Sequence, residues 1–184
     1  MQDIREVAAA FHRACERADV GYVFVGGMAV NAWGQPRTTS DLDALAIIVP
    51  AVVDRFVEAL ARERLTAHAS DFQASFKDAA HVTVHCPTPD LHVDIKFART
   101  SSERAQVRHG VSITISTGPI RVARPEETIA FKLHYGSPQD LQDARSILVR
   151  QEGRLDEARL AELAFELGVD QVLDQMRAEI RSVG

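Results

Sequence analysis

Hydrophobic positions recur with two different periods along the chain, and the change of period divides the sequence into two parts. Up to about residue 124, short apolar runs that predict strands alternate with amphipathic stretches that predict helices. From Pro125 onward, apolar residues recur at i, i+3 and i+4 in four successive segments, which predicts helices alone. The pattern therefore predicts an α/β (α+β) core over residues 1–124 and a helical C-terminal portion over residues 125–184 that packs on it.

Within the first part we expect a sheet of about five strands with helices beside it. Helices are predicted over residues 4–18, 28–33 and 50–64. Segments with strand character cover residues 22–25, 43–49, 81–86, 91–98, 111–116 and 120–123.

Composition and charge limit the classes of function that fit this chain. The 184 residues carry a formal net charge of −5, which argues against a strongly basic surface that would by itself attract nucleic acid. No stretch approaches the roughly 20 apolar residues of a membrane span, and the N-terminus carries acids and lacks an apolar signal core. We therefore expect a cytoplasmic protein without a membrane partner.

Three carboxylates provide the candidate chemistry. Alternation along a strand places Asp41 and Asp43 on one face, and Asp94 is a charge within the otherwise strand-like run LHVDIKFA. If strand 91–98 lies beside strand 43–49, the three carboxylates converge. Such a trio can hold two Mg²⁺ ions about 3.5–4 Å apart, for which Mn²⁺ can substitute, and Asp94 is then the candidate base.

A glycine pair precedes these carboxylates and suits a phosphate. Gly26 and Gly27 follow a buried apolar run and let the backbone approach a ligand closely. The amides that open the next helix would donate hydrogen bonds to it. We therefore expect the triphosphate of a nucleoside triphosphate (NTP) at this turn.

Four pieces in order, GG, RTTSDLD, VDIKFA and PEETIAFKLHYGSPQDLQDARSIL, resemble the polymerase-β-type nucleotidyltransferase superfamily. Within it, they are most similar to small bacterial proteins allied to the AbiEii toxins, over roughly residues 20–150. The resemblance implies a mixed sheet flanked by helices, with the three carboxylates as the metal ligands Asp41, Asp43 and Asp94. It also implies that Lys132 reaches the nucleotide phosphates and that Asp140, with Asp143 as a further candidate, lies near that site.

The chain departs from the superfamily pattern directly after the glycine pair. Many members have a serine there, whereas this chain has Met28. Phosphate binding is therefore expected to depend on backbone amides, aided by Arg37, Thr39 or Ser40.

The predicted activity is transfer of a nucleoside monophosphate from an NTP to a hydroxyl acceptor, with release of pyrophosphate. The resemblance to the AbiEii group implies a toxin of a toxin–antitoxin or abortive-infection system that acts on tRNA, with a cognate antitoxin protein as partner. A small molecule such as an antibiotic is the alternative acceptor. A third hypothesis is a non-catalytic module of the same fold that binds a nucleotide or a partner protein.

Overall fold

Six strands form a single mixed sheet in the part of the chain that this computed structural model describes, residues 3–39, 41–88 and 90–183. In chain order they are β1 (Gly21–Phe24), β2 (Asp41–Ile47), β3 (Val82–His85), β4 (His92–Phe97), β5 (Val111–Ile115) and β6 (Gly118–Val122). Their order across the sheet is β3-β4-β2-β1-β6-β5. The β2–β4 and β1–β6 pairs are parallel, and the other three pairs are antiparallel.

The described residues also form nine α-helices and a short 3₁₀ turn at Pro50–Val52. The helices are α1 (Ile4–Ala18), α2 (Gly26–Trp33), α3 (Val53–Arg62), α4 (Ala69–Asp78), α5 (Ser101–His109), α6 (Pro125–Tyr135), α7 (Pro138–Arg150), α8 (Glu157–Glu166) and α9 (Asp170–Val183). None of the helices formed by the described residues is both long and apolar enough to span a bilayer.

The chain divides into two compact units. The first comprises Met1–Met28 and Thr38–Ala123 and holds the whole sheet, and the second comprises Ala29–Arg37 and Arg124–Gly184 and holds α6 to α9. The chain therefore passes between the units three times: within α2, between Arg37 and Thr38, and between β6 and α6.

Each unit has a buried apolar core. In the first, Phe11 of α1 packs on Tyr22 and Phe24 of β1 and on Phe56 of α3, with ring centroids 5.1, 5.6 and 6.1 Å away. All four rings are almost fully buried, so α1 and α3 cover one face of the sheet. The core of the second unit is aliphatic, and its fully buried residues are Val30, Ile129, Ala130, Ala144, Ile147 and Leu160.

The structure confirms the predicted α/β class and differs from the sequence analysis in detail. The sheet has six strands rather than about five, because both segments at residues 111–116 and 120–123 pair as β5 and β6. Strand β2 begins at Asp41 rather than at residue 43, and α2 begins at Gly26 rather than at residue 28. Helices α4 and α5 were not predicted.

Candidate active site

The three predicted carboxylates lie on one face of two neighbouring strands. Strands β2 and β4 are parallel and in register, with Asp43 opposite Asp94 and Asp41 opposite His92. Residues opposite one another on paired strands project to the same side of the sheet. The side chains of Asp41, Asp43 and Asp94 therefore share a face, and each is partly accessible to solvent.

The alternate positions of the same strands are buried, which explains the register. Leu42 and Ala44 of β2 and Val93 and Ile95 of β4 are at most 1% exposed. A shift of one residue would bring the carboxylates into this apolar layer at a large desolvation cost. The hydrophobic pattern of the two strands thus holds the carboxylates on the open face.

The glycine pair makes room for two side chains of this carboxylate patch. Gly26 has a φ of 54°, and a Cβ added to it would lie 2.2 Å from Asp43 Oδ2. A Cβ on Gly27 would lie 2.6 Å from Thr39 Oγ1. Thr39 Oγ1 in turn donates to the Asp41 main-chain oxygen at 3.2 Å or to its Oδ1 at 3.3 Å. The side chains of Asp43 and Thr39 therefore occupy the space that side chains at Gly26 and Gly27 would need.

Asp94 has two neighbours that orient its carboxylate. Thr83 Oγ1 on β3 donates a hydrogen bond of 2.7 Å to Asp94 Oδ1, and His92 Nε2 lies 3.4 Å from Asp94 Oδ2. Sequence reasoning missed Thr83. The signal that could have found it is the antiparallel pairing of β3 with β4, which places Thr83 opposite Asp94.

The donor chemistry of the patch fits a hard divalent cation, although the side chains are not arranged around one. Carboxylate oxygens are the ligands that Mg²⁺ prefers. Among residues 3–39, 41–88 and 90–183, no three His, Cys, Asp or Glu side chains stand close enough together to hold a metal ion in their present rotamers. The register already brings the Asp43 and Asp94 backbones side by side, so metal binding would need side-chain rotation rather than a new strand pairing.

The second unit contains a separate group of ionised side chains, which we call the α6–α7 ion network. Lys132 Nζ lies 2.6 Å from Asp140 Oδ1 and 3.1 Å from Asp143 Oδ2. Arg37 binds Asp143 with two parallel hydrogen bonds, from Nε to Oδ1 at 3.0 Å and from Nη2 to Oδ2 at 2.9 Å. Gln139 Nε2 donates to the same Oδ1 at 3.0 Å.

The network fixes the charges of its members. Burial alone would raise the pKa of Asp143, but hydrogen bonds from Arg37, Gln139 and Lys132 prevail and lower it. Burial likewise opposes the charge on Lys132, yet its bonds to Asp140 and Asp143 raise the pKa of the amine above its usual value. Asp143 and Lys132 are therefore both ionised at neutral pH.

The candidate residues of the sequence analysis thus fall into two groups. One group, in the first unit, is gathered around the start of α2 and the β2–β4 pair: Gly26, Gly27, Thr39, Asp41, Asp43 and Asp94. The other group, in the second unit, is joined by the α6–α7 ion network: Arg37, Lys132 and Asp140. Ser40 lies outside the described residues.

Arg37 and Lys132 were predicted to bind nucleotide phosphates. In the structure the guanidinium and the amine both bind Asp143, which the sequence resemblance gave as a further candidate near the site. A phosphate would have to displace Asp143 or bind the two cations together with it. Phosphate binding by Arg37 and Lys132 therefore stays a prediction.

Comparisons with solved structures identify the fold. An antigenic nucleotidyltransferase-like protein from Paracoccidioides brasiliensis matches with a TM-score of 0.60 and 15% identity, over 97% of this chain and 90% of that one. The enzyme ANT(2'')-Ia, in complex with adenylyl-2''-tobramycin, matches with a TM-score of 0.59 and 11% identity, over 90% of this chain and 99% of that one. Neither the comparison with protein-family models nor that with curated proteins gives a match. The chain therefore has the nucleotidyltransferase fold, as the sequence resemblance implied.

Proposed function

We propose that this protein is a nucleotidyltransferase that moves a nucleoside monophosphate from an NTP to a hydroxyl acceptor and releases pyrophosphate. The observation that carries the proposal is the register of Asp43 opposite Asp94, with Asp41 on the same face. Surface carboxylates seldom gather in this way without a counter-ion, because like charges on paired strands repel one another. A divalent cation bound to phosphate oxygens supplies that counter-charge.

The proposed metal ligands are Asp41 and Asp43, with Asp94 as the third carboxylate. Mg²⁺ bound there would neutralise the triphosphate and the departing pyrophosphate. Asp43 Oδ2 lies directly against the first turn of α2, and the amides of a helix's first turn have no acceptor within the helix. The triphosphate is thus proposed to lie beside this contact, where it would accept hydrogen bonds from the amides and share the metal with the carboxylates.

Asp94 is proposed to accept the proton of the acceptor hydroxyl. The acceptor oxygen forms a bond to the α-phosphorus of the NTP while the bond from that phosphorus to pyrophosphate breaks, and the hydroxyl proton moves to the carboxylate. Oδ2 is the assigned atom, because Oδ1 accepts a 2.7 Å hydrogen bond from Thr83, whereas His92 Nε2 lies farther from Oδ2, at 3.4 Å. Thr83 then keeps the carboxylate in one orientation during the transfer.

The acceptor is proposed to be a hydroxyl of a small molecule. The formal net charge of −5 disfavours a large interface with RNA phosphates, and the structure of ANT(2'')-Ia that shares this fold holds an adenylylated small molecule. A tRNA acceptor, with a toxin role and a cognate antitoxin, is the competing proposal from the sequence resemblance. It requires a local basic surface.

Incubation with α-labelled NTPs and Mg²⁺ tests the transfer and separates the acceptors. One series contains a panel of hydroxyl-bearing antibiotics and the other contains total tRNA, and labelled product and pyrophosphate are measured in both. Asp43→Asn should abolish transfer, because a neutral amide lacks the negative charge with which the carboxylate binds the metal. Asp54→Asn, at an exposed aspartate of α3, is the matched control and should leave the rate unchanged.

A non-catalytic module would give a different result. Calorimetry would then show Mg²⁺-dependent NTP binding, with no pyrophosphate released in the presence of either acceptor class. Transfer by Asp43→Asn at the rate of the unaltered protein would exclude the assigned carboxylates.

A further inference from the structure

A polar concavity opens on the first unit, away from the residues assigned to transfer. It has a volume of about 470 Å³ and lies between α1, the end of α3 and the turn before β6. Its charged lining consists of three arginines and two glutamates, Arg13, Arg62, Arg64, Glu6 and Glu63. We call it the arginine concavity.

The arginine concavity is on the side of the sheet opposite to the carboxylates. Phe11 of α1 packs on Phe24, and Phe24 lies opposite Ala44 in the β1–β2 pair. Ala44 directly follows Asp43, so its side chain projects to the other face of the sheet. A ligand in the concavity would therefore not contact the carboxylate patch.

Positive charge exceeds negative charge in the lining of the arginine concavity. Glu63 is bound by two arginines at once, Arg13 Nη2 at 2.7 Å and Arg17 Nη1 at 2.5 Å. Burial opposes the charge of Glu63, but these hydrogen bonds prevail and lower its pKa, so its single charge is shared by two cations. Within the described residues, neither Arg62 nor Arg64 has a carboxylate partner within 4.0 Å.

The second lining glutamate, Glu6, reduces this excess without cancelling it. The lining holds three arginines and two glutamates, and Arg17 adds a fourth cation by binding Glu63, in a protein whose formal net charge is −5. A local cationic surface on an acidic protein attracts an anion that the remaining surface repels.

Arg64 also occupies a backbone position that glycine usually takes. Its φ is 61°, and it follows the last residues of α3, where Leu65 N donates to Leu60 O at 2.9 Å. This is the 6→1 hydrogen bond of a helix C-terminus whose left-handed residue is most often glycine. The chain has an arginine there instead, and its side chain lines the concavity.

We propose that the arginine concavity binds a phosphate-bearing ligand. The planar guanidinium donates paired hydrogen bonds to phosphate oxygens, and the concavity offers two such groups that are not bound to carboxylates. A space of about 470 Å³ exceeds what one phosphate group fills, so two or more linked phosphates fit it best. Linked phosphates occur in free nucleotides and polyphosphate and in a nucleic-acid backbone.

Titration of the ¹⁵N-labelled full chain with a phosphate-bearing probe, followed by the amide chemical shifts, tests this proposal. The titration contains no Mg²⁺ and no acceptor, so its result is independent of the proposed transferase activity. Inorganic tripolyphosphate is the first probe and a single-stranded RNA hexamer is the second. Saturable shifts should appear at Ala9, Ala10 and Thr117, which line the concavity. The R62Q/R64Q double variant should bind at least about 10-fold more weakly, because two charge-assisted contacts are lost. The R154Q variant, at an exposed arginine of the second unit, should bind like the unaltered protein.

The two probes distinguish the sources of phosphate. Saturation by tripolyphosphate alone supports a free polyphosphate ligand, whereas tighter binding of RNA with a steep salt dependence supports a nucleic-acid backbone. The proposal is overturned if neither probe shifts these amides, or if the double variant binds both probes as tightly as the unaltered protein does. Shifts confined to the residues around Asp43 would likewise overturn it, because they would report the carboxylate patch alone.

Discussion

Replacing Gly26 by alanine should damage the carboxylate patch far more than it damages the fold. The added Cβ would lie 2.2 Å from Asp43 Oδ2, and ordinary van der Waals contact begins at 3.4 Å. The oxygen therefore has to move by about 1 Å or more. Oδ2 belongs to a flexible side chain, so the displacement is expected in the carboxylate and not in the backbone.

The size of the effect follows from this geometry. A misplacement of about 1 Å in a catalytic group can lower a rate by about 100-fold. The stability cost is smaller, because an alanine at a φ of 54° costs about 1–2 kcal/mol relative to glycine. We therefore expect kcat to fall by about 100-fold while the protein remains folded at room temperature.

Gly153→Ala separates the two effects. Gly153 has a φ of 72°, and a Cβ added to it would meet no atom within 4 Å. This variant should therefore bear a similar backbone cost without disturbing Asp43. Urea denaturation gives the stability of both variants, and the labelled-NTP assay gives their rates. Equal activity of Gly26→Ala and Gly153→Ala would refute the argument.

Substitutions at three further positions test the roles of single side chains. Thr83→Val removes the hydrogen bond to Asp94, so kcat should fall about 10-fold with little change in the KM for NTP. Thr83→Ser keeps the hydroxyl and should retain the rate of the unaltered protein. Equal losses of kcat in the two variants would show that Thr83 has only a structural role. Asp143→Ala removes a carboxylate, only 3% exposed, that both Arg37 and Lys132 bind, while Lys132 keeps Asp140. Urea denaturation should show a loss of about 2 kcal/mol, and an unchanged midpoint would contradict this. Burial raises the pKa of the Glu127 carboxyl, so the protein loses stability as the pH rises above 4.5 and through this raised pKa. Glu127→Gln should therefore stabilise the protein at about pH 8 but not below the ordinary pKa of 4.5. A stabilisation that persists below that pH would contradict this reasoning.

The sequence predicted the sheet and the carboxylate face because both depend on strong local patterns. Asp41, Asp43 and Asp94 interrupt apolar alternation, and period 2 alone decides that the first two share a face. The parallel pairing of β2 with β4, by contrast, was assumed as a condition. Only the structure supplies the register of Asp43 opposite Asp94.

Contacts between distant segments could not be predicted. Nothing local in the sequence shows that Gly26 leaves space for Asp43, or that Arg37 binds Asp143 across 106 positions of the chain. Helix α5 was missed because it is polar, with Val107 as its one buried aliphatic residue. Its start did carry a signal, the capping box in which Thr100 and Glu103 bind each other's main-chain amides.

Binding of Mn²⁺ in the presence of NTP, followed by electron paramagnetic resonance, tests the central claim most directly. The claim is that carboxylates from β2 and β4 hold one metal-bound nucleotide together. Asp43→Asn and Asp94→Asn should each weaken Mn²⁺ binding by at least about 10-fold, while Asp54→Asn should leave it unchanged. Unaltered Mn²⁺ affinity in both the Asp43 and the Asp94 variant would contradict the account.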